Sequence, residues 1–322
     1  MNEIILAIGS FVIGLVILLY GADSLVRGAS SIAKKAGLSA LFIGLTIVSF
    51  GTSLPELMVN LFASFQGSND IAIGNILGSN ISNILLILGI SASIYPLTVK
   101  KGTVTKLIPF SLLAVVALYV LVNDVIIDAA GSSILSRGDG FILLLFFIIF
   151  MYYAVSISRS SEAVGEHKIK TYKYFLATSM VMGGILGLVI GGKLLVDGAV
   201  TIASFFGLSE ALIGLTVIAI GTSLPELATS AIAAYRRSSD IAIGNIIGSN
   251  IFNIFWILGL SATIRQLDFS LTLNFDILIV IAITIILMMF MFIGKRNILQ
   301  RWQGTTMVSL YIIYIVYVVL RG

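Results

Sequence analysis

Ten long apolar runs separated by short polar stretches organise the chain: residues 4–22, 38–62, 71–95, 107–127, 141–157, 174–197, 208–234, 241–263, 271–293 and 304–320. Each comes close to the roughly 20 residues a helix needs to cross a hydrocarbon core. The pattern predicts an all-α polytopic membrane protein with ten transmembrane helices. The first run has no basic stretch before it. Its positive charges, Arg27, Lys34 and Lys35, follow it, so it reads as a retained helix and not as a cleaved signal.

Two of these runs are interrupted in the same way. Gly51-Thr52-Ser53-Leu54-Pro55-Glu56 recurs unchanged at Gly221 to Glu226. An acid in hydrocarbon is expensive and faces a cavity, a partner or an ion. Pro55 cannot donate to the carbonyl of Gly51 and its ring crowds that carbonyl, so Pro55 and Pro225 are expected to break helices 2 and 7 one turn before their acids. Hydroxyls, freed backbone oxygens and a carboxylate converge at each break.

The interruption belongs to a longer repeat. Residues 37–90 align with 207–260 at a constant offset of 170, without a gap, and 32 of the 54 positions are identical. Five runs per copy is an odd number, so the second copy must enter the membrane from the opposite side. This gives two inverted five-helix repeats, residues 1–157 and 174–322, joined by a polar linker at 158–173 that contains His167. Inverted repeats with interrupted helices at matching positions point to a secondary transporter whose site lies at the repeat interface.

One run after each break, Gly74 to Asn83 and its copy Gly244 to Asn253 carry a second motif. On a helix, Asn75, Ser79 and Asn83 share one face, as do Asn245, Ser249 and Asn253. For Asn75 and Asn245, inter-helix hydrogen bonding and ion contact are both open. Gly74 with Gly78, and Gly244 with Gly248, form small-xxx-small pairs that admit a neighbouring backbone. Asp70 and Asp240 open these helices and are expected to cap them. Asp23 with Arg27, and Lys193 with Asp197, have the spacing of ion pairs one helical turn apart.

Composition narrows the chemistry. With 58% hydrophobic and 11% charged residues, the chain is too apolar for a soluble protein of 322 residues. It has no cysteine and one histidine, which excludes disulfides and thiolate metal sites and leaves hard, oxygen-seeking cations as ligands. Of its nineteen Lys and Arg, fifteen fall on the side holding the loops after runs 1, 3, 5, 7 and 9, and four on the other. The positive-inside rule puts the first side in the cytoplasm, with both termini extracellular and the protein in the plasma membrane. The basic balance therefore reports topology, and no nucleic acid, resident cofactor or obligatory protein partner beyond the lipid bilayer is implied.

The paired GTSLPE stretches, each followed by a GN-x-x-GSN-x-x-N motif, resemble the two alpha-repeats of the cation/calcium exchanger superfamily, and most closely its prokaryotic sodium/calcium exchangers. The resemblance implies alternating-access antiport of Ca²⁺ against Na⁺, with Glu56 and Glu226 as central ion ligands. Thr52, Ser53, Ser79, Asn83, Thr222, Ser223, Ser249 and Asn253 match the family's other ion-coordinating positions. Some relatives that resemble this chain carry Asp where Asn253 stands. The Asn here argues against potassium co-transport and leaves two central carboxylates.

The residues agree with that implication on their own chemistry. Calcium takes six to eight oxygens from carboxylates, carbonyls and hydroxyls. Glu56, Glu226, the hydroxyls beside them and backbone carbonyls, with Ser49 and Ala219 as candidates, offer such a set. Two carboxylates balance one Ca²⁺ and repel each other without it, so a competing monovalent cation must replace it. A proton-coupled Ca²⁺ antiporter on the same fold is the alternative. A membrane-embedded acid/base enzyme lacks any accompanying histidine, cysteine or serine-base constellation, and a passive channel fits occluding inverted repeats poorly.

Overall fold

The computed structural model describes residues 2–67, 69–127, 129–160, 170–205 and 219–321. The chain is helical almost throughout. It runs through α1 (Asn2–Ala36), α2 (Ala40–Thr52), α3 (Leu54–Gln66), α4 (69–94), α5 (Thr103–Leu121) and α6 (Arg137–Ser160). It continues through α7 (Tyr174–Phe205), α8 (Ala219–Thr222), α9 (Leu224–Tyr235), α10 (Ser239–Ile264), α11 (Asn274–Phe290) and α12 (Arg301–Arg321).

Among the described residues, eight helices are long and apolar enough to cross a membrane, and α2 with α3, bent by 45° at their junction, brings the number to nine. The run at 208–234 is described only from Ala219 onward, and most of the linker, with His167, lies outside the described residues. α1 extends to Ala36 and α7 to Phe205, well past the runs at 4–22 and 174–197, because the residues that follow each run continue the helix.

The helices form a shell around two central ones. Of the most apolar window of α10, 94% is buried, and of α4, 72%, against 22% for α1, α6 and α12, which expose many large apolar side chains. Helices covered all round by protein are where polar side chains can sit without facing lipid. Both central helices contain a π-helical stretch, at Ser82–Leu88 and Phe252–Leu258. Each begins within a residue of a predicted site asparagine. Such a wide turn changes the direction of every side chain after it, and no hydrophobic periodicity announces it.

α1 and α7 lie against each other along a seam of glycines spaced by seven, Gly14, Gly21 and Gly28 facing Gly184, Gly191 and Gly198. A Cβ on Gly14 would stand 2.5 Å from the amide nitrogen of Leu195, and one on Gly191 at 2.5 Å from that of Leu18. Two hydroxyls fasten the seam: Ser10 Oγ donates to the Leu194 carbonyl at 2.9 Å and Ser24 Oγ to that of Met180, also at 2.9 Å. Lipid offers helices no hydrophobic drive to associate, so close backbone approach and such hydrogen bonds hold them together.

The sorting of basic residues has a counterpart in the packing. Residues assigned to the richer side contact one another: Asp23 pairs with Arg27 at 2.8 Å and with Arg236, Lys100 pairs with Asp240 at 2.7 Å, and Arg237 lies over Tyr95. At the opposite end, Arg137 donates to the Ile264 carbonyl and Arg265 to that of Phe65. Asp240 thus pairs with a lysine instead of capping its helix, and the side chain of Asp70 is outside what the structure describes. Lys193 and Asp197 are exposed and form no ion pair among the described residues. Two short antiparallel strand pairs, Leu97–Thr98 with Ile298–Leu299 and Ile134–Leu135 with Leu267–Asp268, each tie a segment of the first half to one of the second.

Replacing Gly191 by valine forces α1 and α7 apart and is expected to remove the monodisperse peak in detergent size-exclusion chromatography. Gly9→Ala, on the same helix as the seam but with nothing within 4 Å of its would-be Cβ, leaves that peak unchanged.

Candidate functional site

The two GTSLPE stretches interrupt their helices as the proline argument requires. α2 ends at Thr52, Ser53 takes φ −84° and ψ 10°, and α3 restarts at Leu54 with Pro55 in its first turn. α8 ends at Thr222, Ser223 takes φ −89° and ψ 5°, and α9 restarts at Leu224 with Pro225 in its first turn. Glu56 and Glu226 therefore stand in the first turns of α3 and α9, where free N–H groups and the helix dipole favour negative charge.

Both carboxylates are only 1% exposed, and each takes a hydroxyl from the other half of the chain. Ser53 Oγ donates to Glu226 Oε1 at 2.9 Å, and Ser249 Oγ reaches the same oxygen at 3.4 Å. Ser223 Oγ donates to Glu56 Oε1 at 3.4 Å. The serines are themselves adjacent, Ser53 lying 3.1 Å from Ser249 and Ser223 lying 3.4 Å from Ser79. Seven of the predicted residues, Glu56, Ser53, Ser79, Glu226, Ser223, Ser249 and, through Asn245, Thr52, are in this way brought into one buried cluster between α2–α3, α8–α9 and the central helices.

Asn83 and Asn253 are also buried, and each gives its amide nitrogen to the opposite half. Asn83 Nδ2 donates to Asn250 Oδ1 and Asn253 Nδ2 to Asn80 Oδ1, both at 3.0 Å. Their own oxygens accept nothing among the described residues. Glu56 Oε2, Glu226 Oε2, Asn83 Oδ1 and Asn253 Oδ1 are all buried without a hydrogen-bond partner. Orphaned buried acceptors are rare in native structures, because each costs its full desolvation energy, about 1–3 kcal/mol and more for a charged group. No lysine or arginine pairs with either glutamate among the described residues. Four oxygens with two negative charges and no protein cation make a donor set suited to a hard cation.

The remaining predicted positions sort by distance from that set. The Ser49 carbonyl accepts from Ser53 N at 3.0 Å and Thr52 Oγ1 at 3.3 Å, so it is engaged by the break itself. Ala219 opens α8. Thr222 is half-buried beside the second break. Asn245 acts as an inter-helix tie: its Oδ1 accepts from Thr52 Oγ1 at 3.1 Å and its Nδ2 donates to Ser230 Oγ at 2.9 Å. The close approach expected at Gly244 and Gly248 is present, with Leu41, Leu45 and Ser49 of α2 against them. The residues matching Leu41 and Leu45 opposite Gly74 and Gly78, 211 and 215, lie outside the described residues.

Sequence reasoning passed over Asn80, Asn250 and the Ser49 side chain. Ser49 Oγ bonds across the halves to the Asn245 carbonyl at 2.9 Å, and a Cβ at Gly248 would collide with it. Asn80 and Asn250 carried a usable signal, since both copies of the motif keep them at the 170 offset, but they fall off the stripe that the helical spacing selected.

The comparisons with known proteins agree with this geometry. The profile of the sodium/calcium exchanger protein family matches residues 6–156 and 176–320. An inner membrane protein of Escherichia coli, YrbG, is 40% identical over 81% of this chain and 80% of its own length. The sodium/calcium exchanger MaX1 of Methanosarcina acetivorans is 31% identical over 94% of this chain and 96% of its own. Among solved structures, the sodium-calcium exchanger NCX_Mj superimposes with a TM-score of 0.83 at 35% identity, covering 98% of this chain and 99% of that one. A match of that length and likeness, over both halves and both interrupted helices, makes this chain a member of the sodium/calcium exchanger family.

Proposed function

We propose that this protein exchanges Na⁺ for Ca²⁺ across the plasma membrane by alternating access, with the cluster around Glu56 and Glu226 as its ion site. The observation that carries the reading is the set of four buried, partnerless oxygens, Glu56 Oε2, Glu226 Oε2, Asn83 Oδ1 and Asn253 Oδ1. The hydroxyls of Ser53, Ser79, Ser223 and Ser249 stand beside them, which supports an all-oxygen coordination shell for Ca²⁺. Thr52 and Thr222 and the Ala219 carbonyl complete the proposed set, while the Ser49 carbonyl, which already accepts from Ser53 N and Thr52 Oγ1, drops out of it.

Two carboxylates cannot stay charged and unpaired in low dielectric, so one Ca²⁺ or several Na⁺ must occupy the site in turn. That mutual exclusion is the physical basis of antiport. The same reading takes residues 1–157 and 174–322 as two inverted five-helix repeats joined by 158–173, giving ten spans with both termini extracellular. It is supported by the 170-residue offset and by the contacts that gather Asp23, Arg27, Arg236, Lys100 and Asp240 at one end. In the proposed cycle α2–α3, α8–α9, α4 and α10 hold the site, and α1 with α7 moves across it to open one side at a time.

The test is radioactive Ca²⁺ uptake into Na⁺-loaded proteoliposomes diluted into Na⁺-free and K⁺-free medium. Uptake driven by the outward Na⁺ gradient is expected, and uptake that follows only an imposed pH gradient would instead make the protein a proton-coupled antiporter. Glu56→Gln and Glu226→Gln are each expected to lower the uptake to that of empty liposomes while the purified protein remains monodisperse. With three Na⁺ against one Ca²⁺, one net charge moves per cycle, worth about 2.3 kcal/mol per 100 mV. An inside-positive potential should therefore speed uptake into Na⁺-loaded vesicles, and an inside-negative one should slow it.

The chain has no native cysteine, so topology can be read by single-cysteine labelling. A cysteine at Lys101 is expected to react with an impermeant maleimide only after the cells are opened. One at Gly131, in the exposed loop between α5 and α6, should react from outside.

A further inference from the structure

An asparagine amide is nearly symmetric in shape but not in charge: one end is an acceptor, the other a double donor. For Asn83 and Asn253 to serve a cation, the oxygen must point at it and the NH₂ away. Nothing in either side chain dictates that choice, because rotating the amide by half a turn exchanges the two ends within the same volume. The choice comes from the neighbours. Asn80 Oδ1 accepts from Asn253 Nδ2 and Asn250 Oδ1 accepts from Asn83 Nδ2, both at 3.0 Å, in buried surroundings where a reversed amide would set two acceptors against each other.

The orientation of Asn80 is itself determined by backbone. Its Nδ2 donates to the Asn250 carbonyl at 3.4 Å, and a carbonyl can only accept. Asn80 must therefore turn its oxygen toward Asn253, which must answer with its NH₂, leaving Asn253 Oδ1 free of protein donors. The relation is repeated in the other half: the asparagine three positions before each site asparagine in one copy of the motif serves the site asparagine of the other copy.

We propose that Asn80 and Asn250 are positioning residues that hold the amide oxygens of Asn253 and Asn83 toward the transported cation, each acting across the interface on the half to which it does not belong. The proposal rests on the exchanger reading above. Outer partners of this kind, which orient a ligand they do not replace, cost about 10–100-fold in metal affinity when removed.

The experiment measures equilibrium binding of radioactive Ca²⁺ to purified full-length protein, together with Na⁺-driven uptake and the melting temperature in ion-free buffer. Asn80→Leu and Asn250→Leu keep the volume and delete the acceptor. Each is expected to raise the Ca²⁺ dissociation constant and the half-saturating concentration for uptake about tenfold, with maximal rate and ion-free melting temperature unchanged. Asn250→Asp keeps an oxygen in place opposite Asn83 and should bind as tightly as the wild type or more tightly. If the leucine variants fail to fold, Asn80→Ala and Asn250→Ala carry the same expectation.

A thermodynamic cycle separates orientation from packing. In Asn253→Asp both ends of the side chain are oxygens, so there is nothing left to orient, and adding Asn80→Leu to that background should change Ca²⁺ binding less than twofold. The same tenfold loss in both backgrounds, wild-type affinity in Asn80→Leu, or a loss in Asn250→Asp equal to that in Asn250→Leu would each overturn the proposal. Full activity in Glu56→Gln and Glu226→Gln would instead remove the ion site on which it rests. Inactive glutamine variants beside normal leucine variants would sink the positioning role alone.

Discussion

Everything in this structure answers to the burial of two carboxylates in a lipid-facing protein. Glu56 and Glu226 are each 1% exposed, and no basic side chain pairs with them among the described residues. Insertion of such a residue at the centre of a membrane helix costs about 2.5–3.5 kcal/mol. The chain lowers that cost with first-turn N–H groups, two broken helices and a ring of serines, yet one oxygen of each acid remains without a donor. Each acid thus keeps one buried oxygen that no protein group satisfies among the described residues.

The site is assembled by exchange between the halves. Ser53 serves Glu226, Ser223 serves Glu56, Asn250 serves Asn83 and Asn80 serves Asn253. The short strand pairs follow the same rule at the membrane surfaces. A half on its own would contain the acid but not the groups that hold it. The exchange is not fully symmetric. Ser49 and Asn60 of the first copy correspond to Ala219 and Ser230 of the second, and Phe252, Phe255 and Trp256 replace Ser82, Leu85 and Leu86. The larger aromatics pack with Phe110, Phe146, Phe147 and Phe150 of α5 and α6, stiffening the second wide turn from behind.

Around this polar centre the shell is held by different forces. The α1–α7 seam depends on missing side chains, because glycines let two backbones touch where lipid would otherwise intervene. The ion pairs at the helix ends are partly exposed and contribute little to stability. Their value lies in register, since Asp23, inside α1, is joined to Arg236 just past the end of α9.

The helical, membrane-spanning character and the family were legible in the chain alone, because hydropathy and repeated motifs are local or periodic properties. Glu56, Glu226 and their neighbouring serines stand out in the sequence because carboxylates and hydroxyls are rare within apolar runs. Tertiary structure decided what depends on direction. The wide turns at Ser82–Leu88 and Phe252–Leu258 leave no periodic trace, and the partners of Asn83 and Asn253 in the opposite half could not be read from helical spacing. Asn245 was left between two roles that only its contacts with Thr52 and Ser230 resolved. Asn80 and Asn250 stood in plain view within a repeated motif, but an amide's orientation is set by the group opposite it, and that group lies about 170 residues away in sequence.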